Sequence, residues 1–310
     1  MALTTLPLVT LGWTPPGHTS GDALLVRENG QWVEWWSADR APARWSGPSP
    51  LLQSGTTWRS VQPGVELGEA ELSGGPKAWR TRLVIVRLDP RHYRLRLEAA
   101  VEAGGTSGAW SVESAESSTV VALNAGRYSG GVPWGWVVHG GRESSPPATG
   151  PLALAVLVDT TGSVRLVNSD SLTALRGSPA VVEAFQSYPA LVVDDGDIPG
   201  ALRAAGQGID LTHRDARLAI GIARDGQLII ALARFDVLGA QLATVPLGLT
   251  TPEMAAVMGA LGCRAAVMLE GGVSSQLLVR DAGGAMQVWP GWHKVPMGLV
   301  ALPRSDGASP

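Results

Sequence analysis

Cysteine is nearly missing from this chain: Cys263 is the only one in 310 residues, so no intrachain disulfide can form. That excludes disulfide-stapled scaffolds and fits a cytoplasmic protein without excluding a periplasmic one. Cys263 sits between Gly262 and Arg264 in an apolar stretch, which reads as a buried structural thiol rather than a nucleophile. Charge is sparse as well. Charged residues make up 16% of the chain, and 24 Lys and Arg face 27 Asp and Glu, for a formal charge of -3. Without a basic excess there is no footprint for a nucleic-acid partner. No apolar run approaches the roughly 20 residues of a membrane-spanning helix, so no membrane span is expected. The N-terminal MALTTLPLVTLGWTPPG lacks a basic segment ahead of its short, broken apolar run and does not read as a signal peptide. The five histidines (His18, His92, His139, His213, His293) are scattered without ligand-like spacing, so neither a metal nor a cofactor is expected.

What is present is core material. Hydrophobic residues amount to 45%, which argues against disorder. Tryptophan is abundant, with 12 copies against two Phe and three Tyr, and seven of them precede residue 80. Indoles stack well on sugar rings, but they fill cores equally well, and core filling is the reading taken for most of them.

Residues 1–57 differ from the rest. ALLVRE-NG-QWVEWW predicts a hairpin turning at Asn29-Gly30, flanked by the turn-rich WTPPGHTSG and SGPSP. A lone hairpin is marginal in water, so this Trp-rich extension is expected to pack on the main domain, 58–305, with 306–310 as a tail. From Trp58 onward, WRTRLVIVRLD, HYRLRLEAAV, STVVALNAG, ALVVDDG, RLAIGIARDG and QLIIALARF read as strands. PLALAVLVD and SVRLVN read as a hairpin about Thr161-Gly162. Short helices are predicted over 109–118 and from Ser178-Pro179 to about Ser187. A longer one is predicted over 251–262, capped by Thr251, with Met254, Val257, Met258 and Leu261 on one core-facing stripe. The fold class expected is α+β, with mixed, mostly antiparallel twisted sheets and a few packed helices.

Three segments carry possible chemistry. AVMLEGGVSSQLL is an apolar strand ending in Glu270, two glycines (Gly271, Gly272) and two serines (Ser274, Ser275). It reads either as an ordinary turn or as a sheet rim where backbone N–H groups and hydroxyls hold an oxyanion. VVALNAGRYSGG ends another strand in Asn124, Gly126 and Arg127. Asn there favours a turn or binds a sugar hydroxyl, and Arg is a loop residue or a bidentate phosphate donor. THRDARLAIG brings Arg217 into a strand from a polar loop holding His213, Arg214 and Asp215, which taken alone is an ordinary charged strand entrance.

In order and spacing, NAGRY, RLAIG, GLTTPEMAAVMGALGC and MLEGGVSS resemble the motifs of the phosphodiester glycosidase family. SVQPGVELGEAEL, YPALVVDDG and HKVPMGLVAL support the likeness, which spans about residues 58–305. The resemblance implies a hydrolase that cleaves the glycosyl bond of a sugar-1-phosphodiester or related glycan and releases free sugar, with a carbohydrate or glycosyl-phosphate substrate. It places Glu270 at the reacting centre, gives phosphate and sugar to Arg217 and Asn124, and makes Gly126, Arg127, Gly271, Gly272, Ser274 and Ser275 substrate-binding. Members are often secreted or periplasmic. Four positions depart from the pattern: Glu270 stands for Asp, Val273 for glycine, Ala125 for glycine, and Arg127 displaces an aromatic. These changes leave a second reading, a non-catalytic carbohydrate-binding or structural module on the same fold. Oligomeric state, compartment, sugar identity and stereochemical course stay open.

Overall fold

The computed structural model describes residues 23–74, 81–99, 110–129, 131–150, 152–235 and 248–304. The WTPPGHTSG segment, Trp79, Asp236 and the 306–310 tail lie outside them. The described chain opens on a hairpin, β1 (Ala23–Glu28) and β2 (Gln31–Ser37), whose turn residues Asn29 and Gly30 have φ of 49° and 83°. Both angles are left-handed, as a type I′ turn requires. A short helix, α1 (Pro50–Ser54), leads to β3 (Thr57–Gln62), β4 (Val65–Ser73), β5 (Thr81–Leu88) and β6 (Tyr93–Ala99). Next come β7 (Val121–Asn124), β8 (Tyr128–Ser129), β9 (Val132–Pro133), β10 (Val137–His139) and β11 (Arg142–Ser145). The hairpin β12 (Leu154–Asp159) and β13 (Val164–Asn168), helix α2 (Leu172–Leu175), β14 (Val181–Ser187) and β15 (Ala190–Val192) follow. The last third holds β16 (Arg217–Ala223), β17 (Leu228–Phe235), α3 (Thr251–Ala260) and β18 (Cys263–Met268). It ends with β19 (Leu277–Arg280), β20 (Met286–Trp289) and β21 (Met297–Pro303).

A nine-stranded sheet runs in the order β15-β18-β16-β17-β5-β4-β1-β2, with β3 also paired to β4. Two five-stranded sheets, β11-β10-β14-β12-β13 and β20-β19-β7-β21-β6, and the ribbon β8-β9 complete the fold. One core cluster joins Leu67, Val86, Leu218 and Ile220 of the large sheet to Leu123 and Leu299 of one small sheet and Val156 and Phe185 of the other. On the opposite face Ala219, Ile229, Ala231 and Met268 meet α3 through Met254, Val257 and Met258. The middle strands are therefore covered on both sides. This is why RLAIGIA and LIIALARF are nearly unbroken apolar runs instead of alternating ones.

Several expectations need correction. The class is largely β rather than α+β, and every strand pairing between described residues is antiparallel, with none of the parallel pairs a mixed sheet would add. Residues 181–187 are strand, not helix. Ser178 makes a turn that accepts from Val181 N, and β14 then runs between β10 and β12. A cap-like Ser-Pro start is a weak local preference, and pairing on both edges overrides it. Among the described residues 110–118 only Val112–Ser114 winds, as a 3₁₀ turn, because Trp110 is held in a bridge to Val295. The cap of α3 is Thr250, one residue earlier than expected. Its Oγ1 accepts from Glu253 N at 3.3 Å while Glu253 Oε2 accepts from Thr250 N at 2.8 Å, a closed capping box.

Candidate active site

Three strand ends converge where the chain leaves the nine-stranded sheet for a smaller one. β7 stops at Asn124, β16 starts at Arg217, and β18 continues through Leu269 to Glu270 before the 271–276 turn enters β19. Backbone bonds lock the junction: Leu269 N donates to Leu218 O at 2.8 Å, Glu270 N to Gly126 O at 2.9 Å, and Gly272 N to Ala216 O at 2.8 Å. The glycines are needed for this packing. A Cβ on Gly271 would lie 2.6 Å from Ala216 O, and one on Gly272, at φ 61°, would lie 2.8 Å from Asp215 Oδ2. The close approach these glycines allow is thus first to the protein itself.

Asn124 is wholly buried. Its Nδ2 donates to Glu270 O at 3.0 Å and its Oδ1 accepts from Gln276 N at 3.0 Å. The amide ties both ends of the glycine turn. Arg217 is also buried, with Nε donating to Leu249 O at 2.9 Å and Nη2 to His213 O at 2.6 Å. Burial pulls its pKa down, with the Asp215 charge opposing; a guanidinium stays charged regardless. Gly126 is buried, Ser275 is 4% exposed, and Ser274 is half-buried.

Glu270 and Arg127 both reach solvent, their side chains each 23% exposed, with Nη1 and Oε2 3.8 Å apart. Burial pushes the Glu270 carboxyl above its ordinary range, Arg127 and the Tyr128 backbone N–H pull it down, and Asp215 adds to the rise. Arg127 is itself fixed. Its Nε donates to Tyr188 O at 3.0 Å, and its guanidinium lies 4.8 Å from the Tyr188 ring centroid. Trp134 packs edge-on to Tyr188 with centroids 4.7 Å apart. Asp215 joins from the β16 side, its Oδ1 accepting from Ala216 N and its Oδ2 3.6 Å from His213 Nε2.

Two carboxylates and the Arg127 guanidinium therefore share one rim, bordered by aromatic side chains, while Arg217 is buried. Beside the turn lies a shallow cleft of about 10 Å³, room for about one water, lined by Ala216, Arg234, Gly272, Val273, Ser275, Pro290 and Trp292. Among the described residues no group of three His, Cys, Asp or Glu converges to hold a metal. Such a rim can grip an anion and supply a carboxyl for proton transfer or charge stabilisation. Sequence reasoning missed Asp215 as a site member, along with Tyr188, Arg234 and Trp292. Only Asp215 carried a signal, two residues before Arg217.

The solved structures similar to this chain share its fold. The catalytic domain of zebrafish N-acetylglucosamine-1-phosphodiester alpha-N-acetylglucosaminidase, auto-inhibited by its pro-peptide, aligns with a TM-score of 0.57 at 16% identity. The alignment covers 84% of this chain and 95% of that one. A hypothetical protein from Synechocystis aligns with a TM-score of 0.53 at 13% identity, over 80% of this chain and 64% of that one, so this chain spans under two thirds of its length. No curated protein sequence matches. The phosphodiester glycosidase family pattern matches residues 117–301, which takes in Asn124, Arg127, Asp215, Arg217, Glu270 and the glycine-serine turn. With well over half its length matched, the chain belongs to the phosphodiester glycosidase family.

Proposed function

We propose that this protein hydrolyses the glycosyl bond of a sugar-1-phosphodiester, releasing free sugar and leaving a phosphomonoester. The observation that carries the reading is the Glu270–Arg127 pair on the family's glycine turn: a half-buried carboxyl with a fixed guanidinium 3.8 Å away. Arg127 is assigned to the phosphate, as the more exposed of the two guanidiniums. Arg217 is assigned to holding the 213 and 249 loops against the rim, and Asn124 to holding the turn. Glu270 is assigned to the reacting centre, with Asp215 as the second carboxylate. A phosphodiester is already a good leaving group, so the main demand is stabilising an oxocarbenium-like transition state, which an ionised carboxylate meets.

A second reading, a carbohydrate-binding module without turnover, is favoured by one feature. Val273, 38% exposed, occupies a position where the resemblance expects glycine. Hydrolysis of a panel of sugar-1-phosphodiesters, N-acetylglucosamine-1-phosphate esters among them, by wild type and Glu270→Gln separates the two. The hydrolase reading expects sugar release that falls at least about 100-fold in the variant. Release that is unchanged in Glu270→Gln removes that residue from the centre, and no release from any ester favours the binding module.

A further inference from the structure

We propose that Tyr188 is a positioning residue: its ring and its carbonyl together hold the Arg127 guanidinium against Glu270. The inference rests on the reading of Glu270 and Arg127 as the reacting pair, and it adds a side chain that acts through Arg127 and not on the substrate.

Arg127 lies on the short link between β7 and β8, just after Gly126 turns the chain at φ 74°. A long side chain of this kind loses up to about 2 kcal/mol of rotamer freedom when held still, so its aim has to come from its neighbours. Tyr188 supplies two contacts. Its carbonyl oxygen accepts from Arg127 Nε at 3.0 Å, and the guanidinium carbon lies 4.8 Å from its ring centroid. The first contact fixes the base of the guanidinium fork and the second gives the cation a π face to rest on. Held this way, Nη1 stands 3.8 Å from Glu270 Oε2.

Tyr188 is tied to both members of the pair. Ser187 Oγ donates to Met268 O at 2.5 Å, and Met268 N donates to Pro189 O at 3.0 Å. The residues on either side of Tyr188 are therefore bonded to the end of β18, two residues before Glu270. On the other flank Trp134 backs the ring, edge-on at 65° with centroids 4.7 Å apart. Trp134 N donates to Arg127 O at 2.7 Å, so the residue behind the ring also holds the arginine's own backbone. Gly150 leaves room for that indole, since a Cβ there would lie 3.0 Å from Trp134 Cζ2. A residue locked on both sides in this way can transmit precision to the group it holds.

The consequence is electrostatic. Glu270 faces Arg127, Asp215 and the Tyr128 backbone N–H, and Arg127 in turn faces Arg217. Of the groups acting on Glu270, Arg127 is the cation that favours the charged carboxylate, against burial and Asp215. Coulombic attraction weakens with distance, so a guanidinium released from Tyr188 gives up part of that pull. The role calls on the ring and the carbonyl and not on the hydroxyl, which makes phenylalanine the conservative replacement.

The test is the titration of the Glu270 carboxyl, followed by carbon-13 NMR without substrate and assigned by its loss in Glu270→Gln. It is run on wild type, Tyr188→Phe, Tyr188→Leu and Trp134→Leu, and on Tyr188→Leu combined with Arg127→Gln. The expected result is a midpoint at higher pH in Tyr188→Leu, a wild-type midpoint in Tyr188→Phe, and no further shift from Tyr188→Leu once Arg127 is gone. Trp134→Leu, which leaves Tyr188 in place but unbacked, should move the midpoint the same way by less, and it carries the test if Tyr188→Leu fails to fold. On sugar-1-phosphodiesters, kcat/KM at neutral pH should fall about tenfold in Tyr188→Leu and be kept in Tyr188→Phe. A midpoint that is unmoved in both leucine variants, or that moves equally with and without Arg127, overturns the proposal. Turnover on the same samples keeps the two readings apart. An Arg127-dependent shift in a protein without turnover leaves Tyr188 holding the pair and removes the hydrolase, whereas turnover with an unmoved midpoint does the reverse.

Discussion

Glu270 is pulled in two directions, upward by burial and downward by Arg127, and burial wins. If the ionised carboxylate serves the reaction, kcat/KM rises with pH through a pKa above the ordinary glutamate value of about 4.3. Arg127→Gln removes a cation that favours the charged form, so the acidic limb should move to higher pH, and kcat/KM should fall about 100-fold at neutral pH. A limb that moves down, or stays put, would mean that Arg127 does not set the Glu270 charge. The same environment has a stability consequence. A folded-state pKa above the unfolded one makes this carboxyl's contribution fully favourable only below about pH 4, and that contribution is lost as pH rises through the raised pKa. Glu270→Gln should therefore have a higher Tm than wild type at neutral pH, with the gain disappearing in acid, as thermal melts at both pH values would reveal. Glu270 was legible in the sequence because an apolar strand ending in an acid and two glycines is a local pattern. Asp215 carried only the weak signal of a polar loop two residues before Arg217, and Tyr188 and Trp292 were not legible as site members, since only the fold brings them beside the turn.

At the level of elements, α3 is a readable segment. Its Pro252 near the start and its Met254-Val257-Met258 face are written in adjacent residues, so the chain alone announces them, whereas its capping box starts at Thr250, one residue before the cap expected. The strand β14 shows the opposite case, because its identity depends on β10 and β12, partners drawn from up to about fifty residues away. Gly259 tests how α3 is seated. Alanine is favoured over glycine in a helix by roughly 1 kcal/mol. Here, however, an added Cβ would lie 2.1 Å from Trp45 Cδ1, with two more indole atoms at 2.6 Å. Overpacking against a ring typically costs about 1–3 kcal/mol, so the clash outweighs the propensity gain. Gly259→Ala is expected to lower stability in denaturant titrations, and a stabilised variant would refute this account of the contact. A stronger effect is expected at Glu253. It accepts bidentate bonds from Arg214 at 2.6 and 2.7 Å with side-chain exposures of 2% and 9%. Glu253→Ala leaves a buried guanidinium unpaired and undoes the cap, and should cost about 3–5 kcal/mol in the same titration.

Whether the Trp-rich N-terminal part is a separate unit is a question for the whole molecule. We propose that the described part of the N-terminal extension, 23–57, and the main domain form one cooperative body. Along one edge of β4, β3 pairs with Val65–Glu69 and β1 with Leu72 and Ser73, so the hairpin extends the large sheet instead of standing apart from it. Leu24 and Val26 share a core cluster with Leu72, Leu83, Ile85 and residues of α3. Trp45 lies against Gly259, and Trp45 N donates to Gly196 O. Removing the extension would uncover apolar side chains of that face of the sheet and of the helix together, which is unfavourable in water. Limited proteolysis should therefore not release a stable fragment beginning near Trp58, and 58–310 expressed alone should be insoluble or melt well below the full chain. A soluble 58–310 with the full chain's Tm would make the hairpin a dispensable addition. In that case the sheet's own strands, β3 to β5 and β15 to β18, would have to hold the Glu270 turn in place without it.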